Sequence, residues 1–387
     1  MKKTTIVIIV LLVALIAIIV VSYRKSGDMD GAIKIGVISP LTGSGSSYGE
    51  PIGRVTLLAA EEINTQGGIA GRTVKVFLED GKCDAKEAIN AVNKLVNTDK
   101  VPIVLGGGCS TESLAIAPFL NQKKILQIAA ATSANTYSDA GTYSFRVMPK
   151  SDTIYVKLGA YAFAHGHKEI AVLYENKDYP KGVIESFVKG FESAGGHIVS
   201  YESFPPDEQD LRSLITKIKA TKATAIMFAA QDEKGAIRFF TQAKELGVAD
   251  RYSYFTDFTA ISSKVFAETA GAIGGNALNM SPYVASDAPR MKELLTHYQA
   301  KFGHEPGTTN FWVASSYDRL TLVKEAIEHC KGNDRDTDCL IAYLSSLQNW
   351  QGVMGTVSFD QFGDITVPTY LHYFDKDASE HWDPVTQ

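Results

Sequence analysis

The chain has 387 residues, of which 45% are hydrophobic and 21% are charged, so it is long enough for about two domains with ordinary globular cores. Its formal net charge at pH 7 is −5, and no block of five or six like charges occurs in it. This balance argues against nucleic acid or an anionic membrane surface as the main partner and favours a small neutral or zwitterionic ligand.

The first 25 residues form a separate hydrophobic segment. Lys2 and Lys3 precede an unbroken apolar run at 6–21, and Arg24 and Lys25 follow it. The run is intermediate in length between a signal-peptide core and a transmembrane helix, and no small-residue cleavage site follows it. We therefore expect residues 1–25 to be an uncleaved helical membrane anchor, with a cleaved signal peptide as the alternative. Residues 26–31 are predicted to be a polar linker.

The four cysteines are Cys83, Cys109, Cys330 and Cys339, and their spacing fits neither a zinc site nor a thioredoxin-like site. Behind an export segment, an even number of cysteines is typical of disulfides and places the folded part outside the cytoplasm. Of the three possible pairings, we favour Cys83 with Cys109 and Cys330 with Cys339, because each pair would join neighbouring loops. Four buried free thiols are the alternative.

From residue 32 onward, apolar segments typical of strands alternate with segments typical of amphipathic helices. In the first half, strands are predicted at 33–39, 73–80, 102–105 and 125–130. Asp84 and Glu87 resemble a capping box that begins the second helix. Nearly continuous apolar strands in such an alternation predict a parallel sheet covered by helices on both faces.

The alternation restarts near residue 150 and predicts a second α/β lobe. Strands are predicted there at 169–174, 198–204, 223–229 and 252–256, later helices at 288–302 and 310–329, and strand-like alternation again at 357–374. No low-complexity linker separates the lobes, so we expect several crossings, with lobe 1 at 32–149 and 282–354 and lobe 2 at 150–281 and 355–387. Two such lobes form a cleft that can close by hinge motion.

A glycine-rich turn at 106–108 joins a predicted buried strand to a helix predicted at 111–120. Glycines tolerate φ > 0 and let the backbone approach other groups closely. The helix N-terminus that follows presents unpaired N–H groups and partial positive charge, which together can bind a carboxylate. The alternative is a crowded turn that binds nothing.

Catalytic motifs are weak. Residues 45–49 match G-x-S-x-G, but only one strand precedes them, so a hydrolase with Ser47 as nucleophile is a remote alternative. The sequence contains no Walker loop, H-E-x-x-H motif or acidic metal cluster. We predict a binding protein without catalytic residues, cofactor or metal.

Seven segments, in this order and at this spacing, resemble a known family: IKIGVISPLTG at 33–43, AEEINTQGGIAG at 60–71, EDGKCDAKEA at 79–88, GGCST at 107–111, AAATSA at 129–134, DYPKG at 178–182 and MGTVSFDQFGD at 354–364. The chain is similar to the periplasmic amino-acid-binding proteins of the branched-chain transport type. This resemblance implies the type I periplasmic binding fold, in which two Rossmann-like lobes with parallel sheets are joined by a hinge of several crossovers. It also implies a disulfide between Cys83 and Cys109 beside the pocket.

The resemblance further implies a set of ligand-binding residues. Ser110 and the amides near it, including that of Thr111, would hold the ligand carboxylate, and Thr132 would contact the ligand from the neighbouring strand end. Asp257 in the second lobe would meet an ammonium group, and Tyr48 and Tyr179 would cover the ligand. Two positions have other interpretations: Gln231 stands where leucine-binding relatives present an aromatic side chain, and Glu112 is expected to be a solvated acid at a helix N-terminus.

The function that these observations predict is capture of an amino acid or similar small polar ligand and its delivery to an ABC transporter permease. The alternative is a ligand sensor of the same fold that acts through a partner protein. In both cases, we expect the N-terminal helix to hold the protein at the membrane.

Overall fold

The computed structural model of the protein describes residues 31–260, 277–374 and 379–385. The anchor predicted at residues 1–25 lies outside these ranges. Within them, no helix combines the length and the apolar character needed to cross a membrane.

The first sheet contains five parallel strands in the order β2-β1-β3-β4-β5. The strands are Ile33–Ser39 (β1), Val74–Asp80 (β2), Ile103–Leu105 (β3), Leu126–Ala129 (β4) and Ser144–Arg146 (β5), and the helices between them are Ser46–Thr65 (α1), Ala85–Asn97 (α2) and Ser110–Gln122 (α3). The predicted cap of α2 is confirmed, since the Asp84 carboxylate accepts the N–H groups of Lys86 and Glu87. The alternation of apolar strands and amphipathic helices therefore predicted four of the five strands of this sheet.

The second lobe continues the same pattern. Its strands are Glu169–Glu175 (β6), His197–Phe204 (β7), Ala225–Ala229 (β8), Ser253–Thr256 (β9) and Ala277–Ser281 (β10), and its helices are Ser151–Ala164 (α4), Asp178–Ser193 (α5), Arg212–Lys219 (α6) and Glu233–Glu245 (α7). These strands pair in parallel, in the order β10-β9-β8-β6-β7. The carboxyl ends of β6, β8 and β9 therefore meet at one edge.

The C-terminal part returns to both lobes. It comprises Pro289–Phe302 (α8), Asn310–His329 (α9), Thr337–Ser346 (α10), Trp350–Gly352 (β11), Gly355–Phe359 (β12), Ile365–Thr366 (β13), Tyr370–Phe374 (β14) and Glu380–Pro384 (β15). Helix α9 packs against α1, whereas β14 and β15 extend the second sheet as an antiparallel hairpin beside β10. Strands β5, β10, β11 and β15 and helix α10 were not predicted from the sequence.

Contacts of β12 and β13 place the last crossing later than predicted. Asp364 pairs with the fully buried Arg146 of β5 at 2.7 Å, and the rings of Phe359 and Phe145 lie 5.3 Å apart. Residues 355–366 thus pack on lobe 1, where the carboxylate of Asp364 neutralises the buried guanidinium of Arg146. We keep the predicted division into lobes as a proposal, with this boundary moved from 354 to after 366.

Both predicted disulfides are present. Cys83 is bonded to Cys109, with Cα atoms 5.8 Å apart, and Cys330 to Cys339, with Cα atoms 6.0 Å apart. The alternative of four free thiols is wrong. The first bond fastens the loop after β2 to the N-terminus of α3, and the second fastens α10 to the end of α9.

Candidate functional site

The glycine turn before α3 is tightly packed. A Cβ on Gly107 would lie 2.3 Å from Cβ of Glu112, and one on Gly108 would lie 2.4 Å from Cδ of Pro40. None of the glycines at 106–108 has a positive φ, so the turn does not use their tolerance of φ > 0, whereas the expected close approach of the backbone is confirmed. They are needed because other chain segments approach the backbone too closely for any side chain.

Glu112 lies behind this turn and is fully buried, so the prediction of a solvated acid is wrong. Its carboxylate accepts the N–H of Cys83 at 2.8 Å and the N–H of Gly108 at 2.7 Å. Burial outweighs these hydrogen bonds and raises the pKa of Glu112 to about 7. Glu112 thereby connects the disulfide-bearing loop to the glycine turn.

Two buried hydroxyl groups lie at the carboxyl edge of the first sheet. Ser110 is the first residue of α3, and its Oγ accepts the N–H of Ala134 at 3.2 Å. Thr132 follows β4, and its Oγ1 lies 2.6 Å from Oγ of Ser113. Cys109, the N-cap of α3, makes no side-chain hydrogen bond to the first turn. Hydroxyls and a helix N-terminus without a side-chain cap therefore converge at one edge, where an anion is favoured.

Asp257 follows β9 at the facing edge of the second lobe and is fully buried. Its Oδ1 accepts hydrogen bonds from the N–H groups of Thr259 and Ala260 at 2.7 and 3.0 Å and from the hydroxyl of Tyr179 at 3.1 Å. Its Oδ2 accepts the N–H of Ala230 at 2.7 Å. Burial raises the pKa of Asp257 to about 6. The carboxylate organises this loop and holds Tyr179 in place.

Hydrogen bonds join the lobes across the cleft. The amide nitrogen Nε2 of Gln231 donates to the hydroxyl of Tyr48 at 2.8 Å, and the hydroxyl of Thr111 donates to Asp178 at 2.7 Å. The N–H of Gly45 donates to Asp232 at 3.3 Å. The lobes are therefore in contact, and the hydroxyl of Thr111 is directed to the other lobe.

Aromatic side chains from both lobes meet beside Tyr48. The ring of Trp312 in α9 lies 4.7 Å from that of Tyr48 and 4.6 Å from that of Phe258. The hydroxyl of Tyr155 lies 3.3 Å from that of Tyr179 and accepts the N–H of Phe258 at 2.9 Å. The sequence analysis missed Trp312, Phe258 and Tyr155 as site residues, because only the packing of distant elements brings them here.

A further carboxylate that the sequence analysis missed is Glu175, at the end of β6. It is 5% exposed, and its Oε2 accepts the N–H of Gln231 at 2.9 Å. Burial raises the pKa of Glu175. Its position at a strand end next to Gln231 was a usable signal, since ligands of open α/β sheets bind at such ends.

Other parts of the surface are separate from this cleft. A groove of about 700 Å³ lies between α1, α8 and α9, lined among others by Glu62, Arg290 and His297, and none of the predicted ligand residues borders it. Across the described ranges, no group of three or more His, Cys, Asp and Glu side chains is arranged to hold a metal ion.

Comparison with known proteins agrees with the fold and with this cleft. A family model described as a periplasmic binding protein matches residues 32–378. The chain belongs to this family. The leucine-, isoleucine-, valine-, threonine- and alanine-binding protein of Pseudomonas aeruginosa is 26% identical over 362 residues, which cover 92% of this chain and 93% of that protein.

Two solved structures share the fold. The branched-chain amino acid transporter substrate-binding protein of Streptococcus pneumoniae, in complex with isoleucine, has a TM-score of 0.80, 24% identity, and coverage of 92% of this chain and 100% of that chain. An ABC transporter solute-binding protein of Rhodopseudomonas palustris, in complex with 3,4-dihydroxybenzoic acid, has a TM-score of 0.80, 24% identity, and coverage of 92% and 96%. The chain is thus a periplasmic binding protein, of a family whose members bind solutes outside the cytoplasm.

Proposed function

We propose that this periplasmic binding protein closes its two lobes over a small carboxylate-bearing solute and delivers it to an ABC transporter permease. The observation that carries the proposal is the convergence of Ser110 and Thr132 at the N-terminus of α3, where both hydroxyls are buried. Hydroxyl donors and helix N–H groups in a water-poor site complement a carboxylate.

We assign the remaining contacts from the geometry of both lobes. Asp257 is suited to an ammonium group, because its Oδ2 accepts a single described hydrogen bond, from Ala230. Tyr48 and Tyr179 are suited to cover the ligand, since both are nearly fully buried between the lobes. Gln231 supplies a polar amide at the same place.

The ligands bound in the two structural neighbours belong to two chemical classes. One neighbour holds isoleucine, a zwitterion, and another holds 3,4-dihydroxybenzoic acid, an aromatic acid without an ammonium group. Both ligands carry the carboxylate that the α3 site would bind. Asp257 favours the amino acid, because a buried carboxylate is stabilised by a cationic partner.

Calorimetric titration with a panel of amino acids and aromatic acids tests this function. We expect Ser110→Ala to weaken binding of the best ligand at least tenfold, since a hydrogen bond to a charged group contributes about 1.5–3 kcal/mol. Ser193→Ala, at an exposed position at the end of α5, is the matched control and should bind like the parent. Equal affinities of the Ser110→Ala variant and the parent would refute the carboxylate assignment.

We also propose that residues 1–25 hold the protein at the outer face of the membrane, near the permease. Fractionation of cells that express the full chain should recover it in the membrane pellet after an alkaline wash. Recovery in the soluble fraction with a shortened N-terminus would instead identify a cleaved signal peptide.

A further inference from the structure

We propose that Glu175 and the side-chain carbonyl of Gln231 receive a second, positively charged group of the ligand. The inference rests on the proposed function and narrows it, because it makes the solute a basic amino acid or a related carboxylate with a side-chain ammonium or guanidinium group. Asp257 and Ser110 would bind the backbone part of such a ligand, and Glu175 would bind its side-chain end.

Acidic side chains predominate among the buried ionisable groups around the cleft. Glu112, Glu175, Asp232 and Asp257 are all at most 9% exposed. Lys177 is the basic residue that influences Glu175, but its Nζ lies 3.5 Å from the carbonyl oxygen of Cys83, and no ion pair in the described part of the chain includes Glu175. A buried carboxylate without a cationic partner is unfavourable, so a cation from the ligand would stabilise the closed form.

Glu175 differs from the other three acids in the number of hydrogen bonds that it accepts. Glu112 accepts from Cys83 and Gly108, Asp257 accepts from several donors, and Asp232 caps α7 through Lys234 and Gly235. Glu175 accepts one described hydrogen bond, from the N–H of Gln231. Its carboxylate therefore retains acceptor capacity that the protein does not use.

Gln231 also has a side-chain oxygen without a hydrogen-bond partner. This residue is 2% exposed, and its Oε1 is buried without a hydrogen-bond partner in the structure. Its Nε2 bonds the hydroxyl of Tyr48, so the side chain reaches across the cleft. The unused amide oxygen belongs to the residue whose backbone N–H bonds Glu175, and the two acceptors together match a group with several donors and no acceptor, such as an ammonium or guanidinium group.

The aromatic side chains beside Gln231 fit the same ligand class. The ring of Trp312 lies tilted against that of Tyr48 and edge-on to that of Phe258, with ring centroids less than 5 Å apart. Aromatic faces attract cations most strongly where water is excluded, and all three rings are at most 3% exposed. They also accommodate the apolar stem of a long basic side chain.

The experiment is calorimetric titration of the full chain with two matched pairs: arginine against its neutral near-isostere citrulline, and lysine against norleucine, which keeps the four-carbon stem without the ammonium group. Each pair keeps the α-amino acid part and the stem and differs in the terminal charge. We expect a charged member to bind at least tenfold more tightly than its neutral counterpart. We expect Glu175→Gln to remove that preference, whereas Glu185→Gln, at an exposed position in α5, should keep it.

The outcomes separate this inference from the proposed function. Equal or tighter binding of citrulline, norleucine, leucine or an aromatic acid, with loss of affinity in Ser110→Ala, would overturn the role of Glu175 and leave the carboxylate-binding function intact. Absence of binding to every member of both panels would overturn both proposals. Thermal denaturation without ligand checks that Glu175→Gln is folded, and an unfolded variant moves the test to Gln231→Leu, which should weaken the charge preference in the same way.

Discussion

At the residue scale, two opposing influences act on the pKa of Glu112. Two backbone N–H groups stabilise its ionised form, whereas complete burial disfavours that form and prevails, raising the pKa from its ordinary value of 4.5 to about 7. The folded protein therefore keeps a proton on Glu112 at pH values at which the unfolded chain has released it. The contribution of this group to stability is largest below about pH 4.5 and decreases as the pH rises towards 7.

We predict that replacing Glu112 by Gln flattens the pH dependence of the free energy of unfolding. In the parent, this group alone should lower the free energy of unfolding by about 3 kcal/mol between pH 4.5 and pH 7, because one pKa unit corresponds to about 1.4 kcal/mol. The glutamine side chain does not titrate, so the variant lacks this decrease. Urea unfolding at half-unit pH intervals measures the slope.

The control for this prediction is Asp318, a second buried carboxyl group far from the glycine turn. Burial raises the pKa of Asp318 to about 6, so Asp318→Asn should flatten the curve only below about pH 6. Between pH 6 and pH 7, the difference between the two variants therefore reports on Glu112. If Glu112→Gln leaves the slope unchanged in that interval, then Glu112 is ionised in the folded protein throughout.

At the scale of elements, the Cys83–Cys109 disulfide joins the loop after β2 to the start of α3. It closes a segment with a sequence separation of 26 residues. We predict that the double variant Cys83→Ser, Cys109→Ser loses about 3–4 kcal/mol of unfolding free energy, from the loop entropy that the bond removes from the unfolded chain. Ligand affinity should fall as well, because Cys83 donates its N–H to Glu112 behind the glycine turn.

The second disulfide provides a matched control. Cys330 and Cys339 are separated by nine residues and join α9 to α10, away from the cleft. Its removal should cost about 2–3 kcal/mol and leave ligand affinity unchanged. Guanidinium unfolding and calorimetry on the two double variants distinguish the effects. Equal affinities of both variants and the parent would show that the first bond contributes to stability alone.

The same elements show what the sequence could predict. The bounds of α9 at 310–329 and the strand at 33–39 are as predicted, because each carries an uninterrupted periodic pattern. Strand β5 has only three residues, and one is the charged Arg146, whose burial depends on Asp364, far along the chain. Local patterns contain no information on that pairing, so β5 was not predicted.

The residues of the candidate site also fall into two groups: some follow from a local sequence pattern, and others come together only through packing. A strand, a glycine turn and a helix start follow one another locally, so the sequence predicted an anion-binding helix N-terminus here, and the family resemblance added Ser110. Trp312 and Tyr48 come together only because α9 packs against α1. Glu112 was misread because its burial results from the disulfide-bonded loop that covers it, which the helix pattern does not reveal.

At the scale of the whole molecule, direct contacts join the lobes both at the rim and in the centre of the cleft. Thr111 and Asp178 lie at the exposed rim of the cleft, whereas Tyr48 and Gln231 meet in its buried centre. A rim hydrogen bond exists only when the lobes are closed, so it biases the equilibrium between open and closed forms without necessarily touching the ligand. Such a contact changes affinity only as far as it favours the closed form.

We predict that Asp178→Ala weakens ligand binding about two- to fivefold, mainly through faster dissociation, because a partly exposed hydrogen bond contributes about 0.5–1 kcal/mol. Asp207→Ala, at an exposed loop position of the same lobe, should bind like the parent. Small-angle scattering without ligand should give a larger radius of gyration for Asp178→Ala than for the parent, and saturating ligand should remove the difference. Identical radii and dissociation rates would mean that closure depends on the buried contacts of Tyr48 and Gln231, and Tyr48→Phe would then have to produce the larger effect.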